Sequence, residues 1–367
     1  MNAQESDTIR AKWNSPSGRT NRGVAQWASI VGVLMIASTV LIAAISSVGL
    51  ERNPDASVPG PTKLSDIANE ENWGEPIRPL PPAPDKFAAD VLLGRQLFHD
   101  RRLSGDNSIS CSSCHQISEG GDDGLSVSVG IGGLLGVLNA PTVLNSGLSV
   151  AQFWDGRAGS LESQVQSPVH NPAEMGSSWT EVIPKLSADA ALRDEFRKVY
   201  GQAIKPELIV SAIAAYERAL TTPDSPFDQY LLGDEGAISL NARGGYELFK
   251  NIGCVSCHQG RSVGANMFQN FGILQDFEVQ FPADTVVHYG RLNVTEHPED
   301  RHRFKVPGLR NVELTAPYFH DGSSDTLEQA IEVMAAFQLG ESLSKKEIGD
   351  LKAFLVSLTG VVPEALK

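Results

Sequence analysis

The sequence predicts an all-α, loop-rich protein made of two related halves behind an N-terminal membrane-anchor helix. Three observations carry this. Amphipathic segments with capping signals recur while sustained strand alternation is absent. One order of motifs appears twice along the chain, and residues 23–50 contain no charged side chain. The 367 residues suffice for two domains with separate cores. A composition of 41% hydrophobic and 20% charged residues excludes a mainly disordered or collagen-like chain. The net charge of −14 argues against a nucleic-acid partner, because duplex binding needs a basic face that displaces counterions. It suits basic protein partners.

Taken in order, residues 1–22 form a basic tip, with Arg10, Lys12, Arg19 and Arg22 against Glu5 and Asp7. Residues 29–44 are almost purely apolar (SIVGVLMIASTVLIAA), and with their uncharged flanks reach the roughly 20 residues a spanning helix needs. The positive-inside rule keeps the tip cytoplasmic and exports everything beyond residue 50. The alternative for 23–50 is a signal sequence cleaved among the small residues near Ala43 to Ser47. Residues 51–85 hold eight prolines and read as an extended tether. Phe87, Val91, Leu92 and Leu97 then recur at helical spacing, opening a first domain at 86–225. A second follows at 226–367. Within them, 206–220 is an amphipathic helix with proline in its first turn. Residues 326–339 and 344–358 open with the capping-box patterns Thr326-x-x-Gln329 and Ser344-x-x-Glu347 and stop at Gly340 and Gly360.

The halves repeat one another. Leu97-Phe98 leads to Cys111-x-x-Cys114-His115, and Leu248-Phe249 leads to Cys254-x-x-Cys257-His258. Downstream, Asn145, Trp154-Asp155-Gly156 and Leu161-Glu162 are matched by Asn311, His320-Asp321-Gly322 and Leu327-Glu328 at the same internal spacing. Shared order and spacing indicate duplication.

All four cysteines fall in the two Cys-x-x-Cys-His motifs. This is the attachment signature of c-type haem, in which two thiols form thioethers and the adjacent histidine ligates iron. A redox dithiol needs a βαβ setting that is missing; zinc is possible in principle, but haem attachment in an exported chain accounts for both histidines and leaves no cysteine over for disulfides. Two covalently bound haems c are therefore expected, with proximal ligands His115 and His258. The sixth iron position then decides what each haem does. Apart from Met1 and Met35 in the N-terminal segment, the methionines are Met175, Met267 and Met334.

The chain closely resembles the bacterial dihaem cytochrome c peroxidases over residues 85–360. The resemblance is carried by LGRQLFHDRRLS (93–104), CSSCHQ (111–116), APTVLN (140–145), FWDGRAGSLESQ (153–164), NPAEM (171–175), CVSCH (254–258) and FKVPGLRNVELTAPYFHDG (304–322), together with the helix bearing Met334. It implies an exported enzyme, on the periplasmic side of a bacterial inner membrane, that reduces hydrogen peroxide. Electrons would come from a small cytochrome c or copper protein. The resemblance further implies His258/Met334 ligation of an electron-accepting C-terminal haem and a peroxidatic haem at His115. There Glu174 is the acid/base and Gln164 orients peroxide. It assigns Trp154 to a path between the haems, implies a calcium ion held by the Asn139 side chain and the carbonyls of Thr315 and Pro317, and makes a homodimer an expected assembly.

One departure stands out. Many relatives carry a loop histidine that caps the peroxidatic iron at rest, but residues 116–169 contain no histidine, and Ile131 takes the place. Isoleucine cannot ligate iron, so the first haem is expected to be open even when oxidised. Its loop, rich in glycine (GIGGLLG, 130–136), is expected to be mobile. Three other readings compete. A dihaem oxygenase acting on a protein substrate, like the one that matures methylamine dehydrogenase, shares the scaffold. Its second haem carries a distal tyrosine, against which Met334 argues, though the open first haem points towards it. In a dihaem electron carrier without catalysis, Glu174 and Gln164 would be incidental. A disulfide-stapled binding module would lack haem.

Overall fold

Where the sequence places a cap, a helix starts. The Thr326 hydroxyl accepts from the Gln329 N–H at 3.3 Å while the Gln329 side chain accepts from the Thr326 N–H at 3.2 Å. Ser344 and Glu347 do the same at 3.3 and 2.8 Å. Each pair satisfies orphan N–H groups of a first turn. In this computed structural model the described residues are 74–84, 86–275 and 288–367. Their principal helices are α1 (Ala89–Phe98), α2 (Leu161–His170), α3 (Trp179–Ser187), α4 (Ala190–Tyr200), α5 (Pro206–Ala219), α6 (Pro226–Leu231), α7 (Leu240–Asn251), α8 (Leu327–Val333) and α9 (Lys345–Val356). The tip 1–22, the anchor 23–50 and most of the tether 51–85 lie outside the described residues. Among the described residues no helix is long and apolar enough to cross a membrane.

Two apolar cores form around two equivalent helix crossings. In the first, α1 packs on α5, with Phe98 edge-on to Tyr216 at 5.2 Å. In the second, α7 packs on α9, with Phe249 against Phe354 at 5.1 Å. Both crossings need a glycine four residues before the phenylalanine. A Cβ on Gly94 would stand 1.9 Å from the Ala212 carbonyl oxygen, and one on Gly245 would stand 1.9 Å from that of Asp350. Backbone meets backbone there, so no side chain can move aside. We expect Gly245→Ala to cost about 1–3 kcal/mol or more in denaturant unfolding. Gly349→Ala, on α9 with open space around it, should be neutral or stabilising by up to about 1 kcal/mol. Equal effects from the two changes would refute the close-crossing account.

The halves also share local conformation. Asn145, Phe153 and Gly156 adopt left-handed backbone (φ 61°, 68° and 68°), and so do their counterparts Asn311, Phe319 and Gly322 (62°, 72° and 62°). A division at residue 225 does not describe the packing completely, however. Val362 and Leu366 belong to the first core, where Tyr216 Oη donates to the Leu366 carbonyl at 2.7 Å. Ile77 belongs to the second. Each end of the described chain thus packs into the opposite half.

The all-α expectation holds for the bulk of the fold and misses one small sheet. Strands β1 (Phe268–Asn270) and β2 (Arg303–Lys305) pair antiparallel, with Phe268 opposite Lys305. Three residues per strand are too few for alternation to register in a sequence.

Candidate functional site

Beside the second Cys-x-x-Cys-His motif lies a cavity of about 490 Å³ whose walls include Cys254, Cys257, His258, Phe249, Tyr318 and Met334. The local sequence builds it. α7 ends at a left-handed Gly253 (φ 99°), a single 3-10 turn spans Cys254–Ser256, and the His258 N–H donates to the Cys254 carbonyl at 3.0 Å. Gly264 (φ 124°) lets the chain return against the ring, since a Cβ there would be 3.1 Å from His258 Nδ1 and 2.4 Å from the Pro307 carbonyl. Burial pushes the His258 imidazole down to about 4, so it stays neutral with a lone pair to give. Met334 stands where α8 passes into the π-helical segment Met334–Leu339, a widened turn frequent at functional positions. Met175, by contrast, is buried in the first core.

In the first half, a single helical turn, Cys111–Cys114, starts under a cap in which the Ser110 N–H donates to Ser113 Oγ at 3.0 Å. His115 Nδ1 lies 3.2 Å from the Gly121 carbonyl; the tautomer that donates there leaves Nε2 free for a metal. Burial again lowers the imidazole pKa. The two rings sit alike on their helices, His115 at 6.5 Å from Phe98 and His258 at 6.4 Å from Phe249.

The donor set fits covalent haem and fits the alternatives poorly. All four cysteines are unpaired, which removes disulfide staples. Burial raises the Cys111 and Cys114 thiols and lifts Cys254 to about 11, whereas a redox dithiol needs a depressed pKa. Among the described residues no group of three or more His, Cys, Asp or Glu side chains converges as a zinc site would require.

Glu174 sits in the turn after α2, where the Asn171 side-chain amide donates to its Oε1 at 2.6 Å. Burial raises its pKa, with Asn171 and Arg157 pulling the other way. Its charge is one of the influences that raise the Cys114 thiol, burial being the largest. Gln164 lies on α2, half-buried, its side-chain amide making no hydrogen bond among the described residues. The glycine-rich loop touches the rest of the first half through Ile131. The Ile131 N–H donates to the Glu174 carbonyl at 2.8 Å. Its side chain lies against Gly105 and Gly176, where added Cβ atoms would be 3.3 Å and 3.1 Å away. Ile131 therefore joins the loop to the turn that carries Glu174.

Between the halves, Trp154 Nε1 donates to the Asn139 carbonyl at 2.9 Å, and the Trp154 carbonyl accepts from the Lys305 N–H at 2.8 Å. Trp154 and Met334 pack on one aromatic cluster of Phe271, Phe304 and Phe337. Asn139, Thr315 and Pro317 line the same cavity as Trp154. The Asn139 amide donates to the Leu125 carbonyl at 2.8 Å, which leaves its oxygen available.

Three groups were missed by sequence reasoning. His320 is buried, lies 4.2 Å from Phe304 and 6.4 Å from Trp154, and is pushed down to about 4 by burial. Its place in the repeat, opposite Trp154, was the available signal. Asp155 is buried between Arg157 (3.0 Å) and His288 (3.3 Å); burial acts to raise its pKa, but these two partners outweigh it. Lys305 lines the cavity, and nothing in the sequence marks it.

Comparison with known proteins agrees with this geometry. Residues 88–236 match the family model described as Di-haem cytochrome c peroxidase. The chain is 47% identical over 292 residues to Cytochrome c peroxidase Ccp of Escherichia coli (strain K12), covering 79% of this chain but only 62% of that protein's length. It is 45% identical to Cytochrome c551 peroxidase of Nitrosomonas europaea, covering 79% of this chain and 86% of the relative. Among solved structures, a MauG-like protein associated with microbial copper homeostasis superposes with a TM-score of 0.65 at 30% identity, covering 79% of this chain and 95% of the other.

Proposed function

Because this chain belongs to the di-haem cytochrome c peroxidase family of oxidoreductases, we propose that it catalyses H2O2 + 2 e⁻ + 2 H⁺ → 2 H2O, drawing the electrons from a small exported redox protein. The observation that carries the assignment of roles is an asymmetry between the halves. By the repeat, Pro168 occupies in the first half the position of Met334 in the second. Proline offers no donor atom, and Ile131 offers none either. The second half thus offers a thioether, Met334, in the cavity that His258 lines, and the first half offers in its stead the carboxyl of Glu174.

When bound, the two haems supply the redox-active iron that accepts electrons singly and passes them to peroxide. The protein does the rest. His258 and Met334 would hold one iron in a ligand pair that favours a high potential. His115 would hold the other, and neither Pro168 nor Ile131 offers it a second side-chain donor. Glu174 takes a proton from one peroxide oxygen and returns it to the leaving oxygen, and the Asn171 amide steadies the carboxylate. Gln164, its amide without a protein partner, is suited to orient peroxide. Trp154 and the aromatic cluster fill the space between the halves. Asn139, Thr315 and Pro317 would supply oxygen donors for calcium. The apolar segment 23–50 would hold the domains outside the cytoplasm.

The test is rapid mixing of the fully oxidised protein with hydrogen peroxide, followed in the Soret region. A fast spectral change without prior reduction is the expected result. Reaction only after one-electron reduction would mean that another group closes the His115 site.

A further inference from the structure

The cavity beside His258 is lined by two cationic side chains, Lys305 and Arg310, and by no carboxylate. Arg310 is already neutralised: its guanidinium meets Asp228 at 2.7 and 2.9 Å, both side chains being 1% exposed. Lys305 has no such partner. Among the described residues no acceptor or carboxylate lies within reach of its amine, and burial alone lowers it to about 8. Lys305 is half-buried, and an ammonium facing a largely apolar cavity loses part of its hydration, so such groups are found paired with an anion. Among the described residues the chain supplies no anion to it, and a group filling the cavity can. A haem brings two propionate carboxylates.

We propose that Lys305 is the counter-ion of a propionate on the haem held by Cys254, Cys257 and His258, and thereby sets the reduction potential of that haem. The position suits the role. Lys305 ends β2, directly after Phe304 of the aromatic cluster, and its backbone N–H is fixed to the Trp154 carbonyl at 2.8 Å. A cation there favours the reduced iron, which carries one positive charge fewer. The inference rests on the reading of Cys254, Cys257 and His258 as a haem site and adds to it the residue that tunes it.

The experiment is a spectroelectrochemical titration of both haems in the holoprotein, comparing wild type with K305M and K305R. K305M should make the His258 haem about tenfold harder to reduce, a fall of 59 mV for one electron. K305R should restore most of the difference, and the His115 haem should keep its potential. An unchanged potential in K305M, an equal shift at both haems, a shift confined to the His115 haem, or a fall that K305R reproduces in full would each overturn the proposal. Loss of haem loading in K305M supports it if K305R rescues loading and overturns it if K305R does not. Absence of a second haem from the wild-type protein would instead overturn the underlying site reading.

Discussion

Replacing Glu174 with glutamine should slow peroxide turnover by about 10²–10⁴-fold while leaving haem loading intact. The change is nearly isosteric and keeps an oxygen for the Asn171 amide, which donates to it at 2.6 Å. What disappears is the ability to hold a proton taken from peroxide. The pH dependence follows from the direction of the shift. Burial raises the Glu174 carboxyl above the usual glutamate range, against the smaller opposing pulls of Asn171 and Arg157. Since the ionised form is the base, wild-type activity falls as the pH drops through this raised value, and the loss begins at higher pH than an exposed glutamate would allow. Steady-state turnover against pH should show that acid limb in the wild type and not in the variant. Full peroxide turnover in E174Q would show that Glu174 is not the acid/base, whereas no turnover in either protein would favour a dihaem electron carrier.

The largest stability effect is expected at Arg310. Arg310→Met should lower unfolding free energy by about 3–5 kcal/mol, because it strands the Asp228 carboxylate, 1% exposed, without its cation. The guanidinium also donates to the Arg78 carbonyl at 3.1 Å, and Asp228 accepts weakly from the Leu80 N–H at 3.4 Å. The change therefore loosens the segment that carries Ile77 into the second core. Adding Asp228→Asn to R310M should recover part of the loss, since the uncompensated charge is then gone. Denaturant unfolding of the three variants measures both effects. A cost below about 1 kcal/mol for R310M would show that the pair is better solvated than its burial indicates.

Much of the candidate site could be read without coordinates because its chemistry is local. A haem c attachment motif needs its two cysteines and histidine close together in sequence, as Cys111, Cys114 and His115 are, and Cys254, Cys257 and His258 likewise. Caps behave likewise, since Thr326 and Gln329 or Ser344 and Glu347 meet within one turn. The repeat made even long-range features visible, as the matched left-handed residues Asn145 and Asn311 show. The glycine-rich loop was harder. Glycine content argues for conformational freedom but does not show that Ile131 lies against Gly105 and Gly176, distant in sequence on either side of it.

By itself, then, the sequence determined the covalent cofactor chemistry, the helix starts, the two-fold repetition and the asymmetry of Met334 against Pro168. Each is written in residues that act on their near neighbours or are matched by spacing. Only the tertiary structure decided that Val362 and Leu366 pack in the first core and Ile77 in the second, that Trp154 shares a cluster with Met334, and that Lys305 faces a cavity without a carboxylate. These depend on burial and on which distant groups end up without partners. A charge becomes costly only when the folded chain removes its water, and nothing in the order of residues states where that happens.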